Sequence, residues 1–365
     1  MRVLVAPDCF GGTLTALEAA EAIAAGWRRS APADELLLRP LADGGPGFVE
    51  VLHGALGGEV HENRVTGPLG HTVTARWLAH DGTAYIESAQ ACGLHLTDRR
   101  DPETSTTYGV GELIAAARDA GMNRAVVGLG GSGTTDGGAG MIRALGGHVT
   151  DDTGNPIGPG GADLARAADA VLPAVGIELV AASDVENPLL GPHGAAHTFG
   201  PQKGADPAAV ERLEIGLTRW ADVLPKDVRD LPGAGGAGGL GAGLLAVGAA
   251  FTSGSALVRA LTRLDEALER AQLAITGEGS FDWQSLRGKL ITAVAAGAAD
   301  RGIPCLVLAG QVSVGRREAG AVGVEQSYAV AEHAGSVAAA MADPAGTLAA
   351  LAADVAAQWS RANAR

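Results

Sequence analysis

Both ends of the chain repeat one pattern: a short apolar run, a turn with glycine beside a carboxylate, then apolar residues at helical spacing. That pattern admits little besides strand–loop–helix units on a parallel sheet. Residues 1–6 predict a first strand, broken by Pro7-Asp8 and Gly11-Gly12. Thr15 and Glu18 stand at capping-box spacing, and Leu17, Ala20, Ile23 and Trp27 follow at helical intervals. Residues 35–41 predict a second strand that ends in Ala42-Asp43-Gly44-Gly45, with a helix over 48–56. Toward the other end, strands are predicted at 273–276 and 304–309, an edge strand at 324–330, and helices at 289–301 and 345–361.

The middle of the chain changes rhythm. Residues 61–95 alternate apolar and polar, with turns at Gly67-Pro68 and Asp81-Gly82, which predicts antiparallel strands. A helix over 109–120 and strands at 124–128 and 177–182 follow. Residues 155–161 predict a surface loop, and 232–243 a glycine-rich loop running into a helix start. A length of 365 residues favours two domains. The expected architecture is α/β. A Rossmann- or flavodoxin-like parallel-sheet domain comes from residues 1–60 and 280–365. A second α/β domain with a mixed sheet, 61–279, is inserted, and the active site is expected in the cleft between them.

Composition narrows the function. Lys and Arg number 27 against 41 Asp and Glu, a net charge of −14 that argues against nucleic-acid binding. No apolar run is long enough to span a membrane, and the first residues predict a strand rather than a signal peptide. Cys9, Cys92 and Cys305 are scattered and form no CxxC pair, so neither disulfides nor a zinc site is expected and a cytoplasmic location fits. Nothing in the pattern specifies an oligomeric state. Only three lysines occur, Lys203, Lys226 and Lys289, and two of them stand in glycine-flanked loops.

In open parallel sheets, ligands bind beyond the carboxyl ends of strands. Here Asp8, Asp43, Asp184 and the pair Glu278/Asp282 each follow a predicted strand. One such Asp is commonly a helix N-cap. Several together fit an acidic cleft, in which a hard cation such as Mg2+, shared with phosphates, relieves the repulsion. Residues 128–138, GLGGSGTTDGG, follow an apolar strand and offer backbone amides to an anion. The first six match G-x-G-x-x-G, with Asp151 and Asp152 about 20 residues on, so dinucleotide binding, a phosphate or substrate loop, and a purely structural loop all remain open. Arg287 and Lys289, just after the Glu278/Asp282 pair, place cations beside acids; the alternative is a salt-bridged turn. No Walker A, protein-kinase or G-x-S-x-G motif occurs.

These loops, in this order, resemble those of the bacterial glycerate kinases. The resemblance rests on Ala6-Pro7-Asp8, Ala42-Asp43-Gly44-Gly45, TGPLG at 66–70, TTYGVGE at 106–112 and the glycines of 128–140. It continues through DVENPL at 184–189, FGPQKG at 199–204, the glycines of 235–241, and 276–289. It implies transfer of a phosphoryl group from ATP to D-glycerate with Mg2+, 2-phosphoglycerate being the favoured product, on a flavodoxin-like domain with an α/β insert. Members commonly carry Lys at Gly11, Glu at Pro46, Asn at Thr135 and Arg at Ser280, so this chain lacks a cation in the first loop and another beside the expected phosphate site. A kinase of a related hydroxy acid and an NAD-dependent dehydrogenase are the alternatives.

On that resemblance the roles divide as follows. Glu278 and Asp282 are candidate Mg2+ ligands. Lys203 and Lys289 would neutralise the transferred group. Gly130, Gly131, Ser132, Gly133 and Thr134 would cradle phosphate or the glycerate carboxylate. Asp8, Asp43, Asn187 and Arg287 are candidate substrate contacts. Asp184 is the first choice of base, with Asp8 and Asp43 as alternatives.

Overall fold

The computed structural model describes residues 1–286 and 290–362. The chain divides into two compact units, one of residues 1–42, 50–55 and 255–365 and one of Asp43–Val49 and Leu56–Gly254. The boundaries expected at 60 and 280 therefore shift. Leu273–Thr276, placed in the insert by the sequence, pairs in parallel with Arg2–Val5 and belongs to the first unit. Asp43, expected to end a strand of the first unit, belongs to the second.

The first unit is a five-stranded parallel sheet in the order Gln326–Ala329, Cys305–Ala309, Leu273–Thr276, Arg2–Val5, Glu35–Leu38. In sequence order this is the 2-1-3-4-5 arrangement of flavodoxin-like folds. Its central strands LAIT and CLVLA are wholly buried, as continuous apolar runs in a doubly covered sheet must be, while the edge strands ELLL and QSYA are partly exposed. The helix Ala16–Ser30 begins at Thr15, whose side chain accepts from the Glu18 amide while the Glu18 carboxylate accepts from the Thr15 amide. It packs on the closing helix Pro344–Ala362. Gly26 permits that crossing, because a Cβ there would lie 2.0 Å from the Ala349 carbonyl oxygen.

The second unit is a six-stranded mixed sheet, ordered Ala250–Thr252, Glu178–Ala182, Arg124–Gly128, Thr83–Glu87, Thr72–His80, Glu59–Thr66. The first four strands run parallel and the last two antiparallel. Asp81-Gly82 forms the two-residue turn between Thr72–His80 and Thr83–Glu87, with φ of 47° and 70°, the sign a type I′ hairpin demands. The helix Pro207–Val223 starts at Asp206, which accepts from the Ala209 amide at 2.7 Å, with Pro207 in the first turn.

One segment departs from expectation. The helix Gly236–Ala246 contains three successive left-handed residues, Ala237, Gly238 and Gly239. The bend brings Gly238 so close to the glycine-rich loop that a Cβ would lie 1.9 Å from the Thr134 carbonyl oxygen. Only glycine meets both demands at that position. Among the described residues no helix is long and apolar enough to cross a membrane.

Candidate active-site groups

In the first unit, the sheet order reverses between Arg2–Val5 and Leu273–Thr276, and ligands bind at such a switch point. A cavity of about 460 Å³ opens there. That is within the roughly 300–1,000 Å³ usual for ligand pockets. Asp8 and Glu278, which follow the two strands, both line it, with Cys9, Gly279 and Ser280 at the same end. Val337, Met341 and Leu348 add an apolar lining, and Val337 and Met341 are large apolar side chains left exposed.

Asp282, paired with Glu278 in the sequence reading, is engaged elsewhere. Its Oδ1 accepts from the amides of Gln284 at 2.8 Å and Ser285 at 3.4 Å, which closes a tight local turn. The structure thus groups Glu278 with Asp8 around the cavity. Among the described residues no three His, Cys, Asp or Glu side chains are gathered as a metal centre. Two carboxylates nevertheless fit Mg2+, which typically takes one or two from protein and fills its remaining positions with water and phosphate oxygens. Arg287 and Lys289 lie outside the described residues.

In the second unit, the carboxyl ends of the parallel strands gather a separate set of groups. The Asp43 carboxylate accepts from the Gly45 amide at 2.9 Å, forming a turn. This turn lies on bare backbone: a Cβ on Gly128 would meet the Gly44 oxygen at 2.4 Å, and one on Gly130 the Gly45 Cα at 2.6 Å. Gly254 packs as closely on the Asp43 carbonyl, and the adjacent Ser253 hydroxyl donates to Asp184 Oδ1 at 2.6 Å. Asp43 and Asp184 are therefore joined through Ser253-Gly254, and the Asp43 turn rests on Gly128 and Gly130 of the loop. Asn187 is committed to its own loop, where its side-chain amide donates to the His193 carbonyl at 2.7 Å.

The glycine-rich loop rests on a polar core. Lys203 is buried, and its ammonium donates to the Thr134 carbonyl at 2.6 Å and Ser132 Oγ at 3.1 Å. Burial lowers its pKa to about 8. The cation therefore faces into the loop's underside. Asp136, also buried, accepts from the amides of Thr107 at 2.8 Å, Gly138 at 3.2 Å and Gly140 at 3.2 Å, and burial raises its pKa. The Gly133 amide donates to the Cys92 carbonyl at 2.8 Å, so this member of the expected cradle is engaged in holding the loop. Burial also pushes the Cys92 thiol up to about 12, which keeps it an inert packed group.

Asp151 does not serve as a ribose ligand beside this loop. It closes its own turn onto Thr153 and Asn155 and pairs with Arg166 at 2.8 Å.

Two buried acids, Asp136 and Glu87, escaped the sequence reading. Glu87 ends the strand Thr83–Glu87, so the carboxylate-after-strand rule reaches it once that strand is known to be parallel to Arg124–Gly128. Asp136 carried no signal beyond standing inside the glycine run.

Comparison with known proteins identifies the family. The glycerate kinase family model matches residues 3–360. The glycerate kinase of Bacillus subtilis is 44% identical over 86% of this chain and 86% of its own length. The glycerate 2-kinase of Escherichia coli is 42% identical over the same shares. An uncharacterized protein of Mycobacterium bovis is 50% identical over 93% of this chain and 87% of its own. A crystal structure from Salmonella typhimurium LT2, assigned as glycerate kinase 2, has a TM-score of 0.82 at 38% identity and covers 100% of both chains. The full-length similarity in sequence and fold leads to one assignment: the chain belongs to the glycerate kinase family, phosphotransferases that use an alcohol group as acceptor.

Proposed function

We propose that this chain transfers the terminal phosphoryl group of ATP to the 2-hydroxyl of D-glycerate, with Mg2+. The observation that carries the reading is the pairing of Asp8 with Glu278 in one cavity at the switch point of the flavodoxin-order sheet. The cavity is far larger than a three-carbon acid needs. Its apolar lining suits a nucleotide base, and its acidic end suits a metal-bound triphosphate. Bound with the phosphates through Asp8 and Glu278, Mg2+ would supply charge neutralisation on the transferred group. The preference for the 2-hydroxyl rests on the similarity to the E. coli enzyme, whose name specifies that position.

Glycerate is assigned to the groups of the second unit. Asp184, oriented by Ser253, takes the proton of the attacking hydroxyl as its oxygen forms the new bond to phosphorus and ADP leaves. Asp43 and the 130–134 loop hold the acceptor. Lys203 acts from beneath, fixing the loop and adding positive potential through it rather than by direct contact.

The test is ADP release with ATP, Mg2+ and D-glycerate, run beside L-glycerate, tartronate and no acceptor, followed by 31P NMR of the product. Release that depends on D-glycerate, with phosphorus coupled to the C2 proton, is expected. Release with another acceptor alone, or none from folded protein, rejects the assignment.

A further inference from the structure

Glu87 has no part in the chemistry just described, yet it is a carboxylate buried at a catalytic strand end. It is 4% exposed. Its Oε2 accepts from the Gly47 amide at 3.1 Å and the Val49 amide at 3.4 Å, and the Phe48 amide and Gln90 side chain also reach the carboxylate. Burial raises its pKa to about 7 against these donors. The amides it gathers belong to Asp43–Val49, the segment that carries the Asp43-Gly44-Gly45 turn. Its backbone neighbour across the sheet is Gly128, on which Gly44 rests. The segment is thus held from two sides: bare glycine contacts position the turn, and one acid collects the amides that follow it. Contact between glycines supplies shape and little grip, so the carboxylate is the anchor.

We propose that Glu87 is the positioning residue for the Asp43 turn, holding it in the geometry that binds the acceptor. This rests on the assignment of Asp43 to glycerate binding. A glutamine keeps the length of the side chain and an oxygen that accepts from the Gly47 amide. An alanine leaves the Gly47 and Val49 amides without their carboxylate acceptor, while the Phe48 amide keeps the Gly45 carbonyl.

The experiment is steady-state kinetics of Glu87→Ala and Glu87→Gln with each substrate varied in turn, beside Asp43→Asn and the Asp43→Asn/Glu87→Ala double variant. Glu87→Ala is expected to raise KM for glycerate at least tenfold with KM for ATP within twofold, and Glu87→Gln to recover most of the loss. In the Asp43→Asn background, Glu87→Ala should add little, because the group it positions is already impaired. An unchanged glycerate KM, equal changes in both KM values, or full additivity overturns the proposal. Hydrogen exchange gives an activity-independent reading. The amides of Gly47 and Val49 should exchange at least tenfold faster in Glu87→Ala than in wild type, and unchanged rates there overturn the proposal even if glycerate is not the substrate. Should the alanine variant fail to fold, Glu87→Asp, which withdraws the carboxylate by one methylene, takes its place in both readings.

Discussion

In the parallel-sheet unit the carboxylates that follow strands, Asp8 and Glu278, line an open cavity. In the mixed-sheet unit the buried acids Glu87 and Asp136 direct their oxygens at backbone amides, and a buried lysine supports the glycine-rich loop. Both units contain apolar strands that end in short polar loops. They differ in what surrounds the ends. An open cavity keeps a carboxylate within reach of a cation or ligand. A packed, water-poor loop cluster makes the same group serve its neighbours, because an unpaired buried donor or acceptor costs about 1–3 kcal/mol. Acids at strand ends therefore divide into those that line a cavity and those that shape a loop. Exposure and hydrogen bonding distinguish them.

The comparison is broken most decisively at Asp184, the strand-end acid of the second unit assigned to chemistry. Asp184→Asn should lower kcat by about 10²- to 10⁴-fold with ATP binding retained, measured by turnover and by nucleotide titration. Near-normal turnover would remove Asp184 as the base and leave Asp8 and Asp43.

Lys203 gives the next largest effect. In the fold its pKa is about 8 against 10.5 unfolded, so between those values the unfolded chain binds more protons and stability rises with pH. The cost of the buried charge is present in full below about pH 8. Over that window Lys203 contributes a rise on the order of 3 kcal/mol. Urea unfolding at the two ends of the window should show the rise in wild type and its loss in Lys203→Met. Equal pH slopes would mean that the ammonium is solvated and that the second unit is as open as the first.

Glu278→Gln tests the open cavity. Removing one charged ligand should weaken the response to Mg2+ and ATP by at least roughly tenfold, about 1.4 kcal/mol, with little change in folding stability. A large loss of stability with unaltered Mg2+ dependence would make Glu278 a structural acid like Asp136. Thr15→Ala is the smallest effect and sharpens the contrast. It removes the cap of the helix Ala16–Ser30, neither of which lines the cavity, and should lower stability by about 1 kcal/mol while leaving both KM values unchanged, as read by thermal melts and kinetics.

Much of the fold was legible in local pattern. The capping box at Thr15 and Glu18, the I′ turn at Asp81-Gly82, and the run of helix Phe48–Leu56 follow from interactions within a few residues. The continuous apolar strands announced a doubly covered sheet. The carboxylate-after-strand pattern singles out Asp8, Asp43, Asp184 and Glu278 as candidates.

Tertiary structure decided how those acids are grouped. Asp282 stands four residues after Glu278, yet it closes a local turn, while Asp8, 270 residues away, lines the cavity with Glu278 because their strands are neighbours in the sheet. Nothing local in Lys203 says whether its ammonium faces solvent or the underside of a loop. Its burial depends on Thr134 and Ser132, some seventy residues earlier, and on a left-handed bend at Gly238 that no helical propensity favours. Short-range hydrogen bonds and periodicity are written in adjacent residues. The burial that sets a pKa and the pairing that assembles a site depend on long-range neighbours, which the chain acquires only on folding.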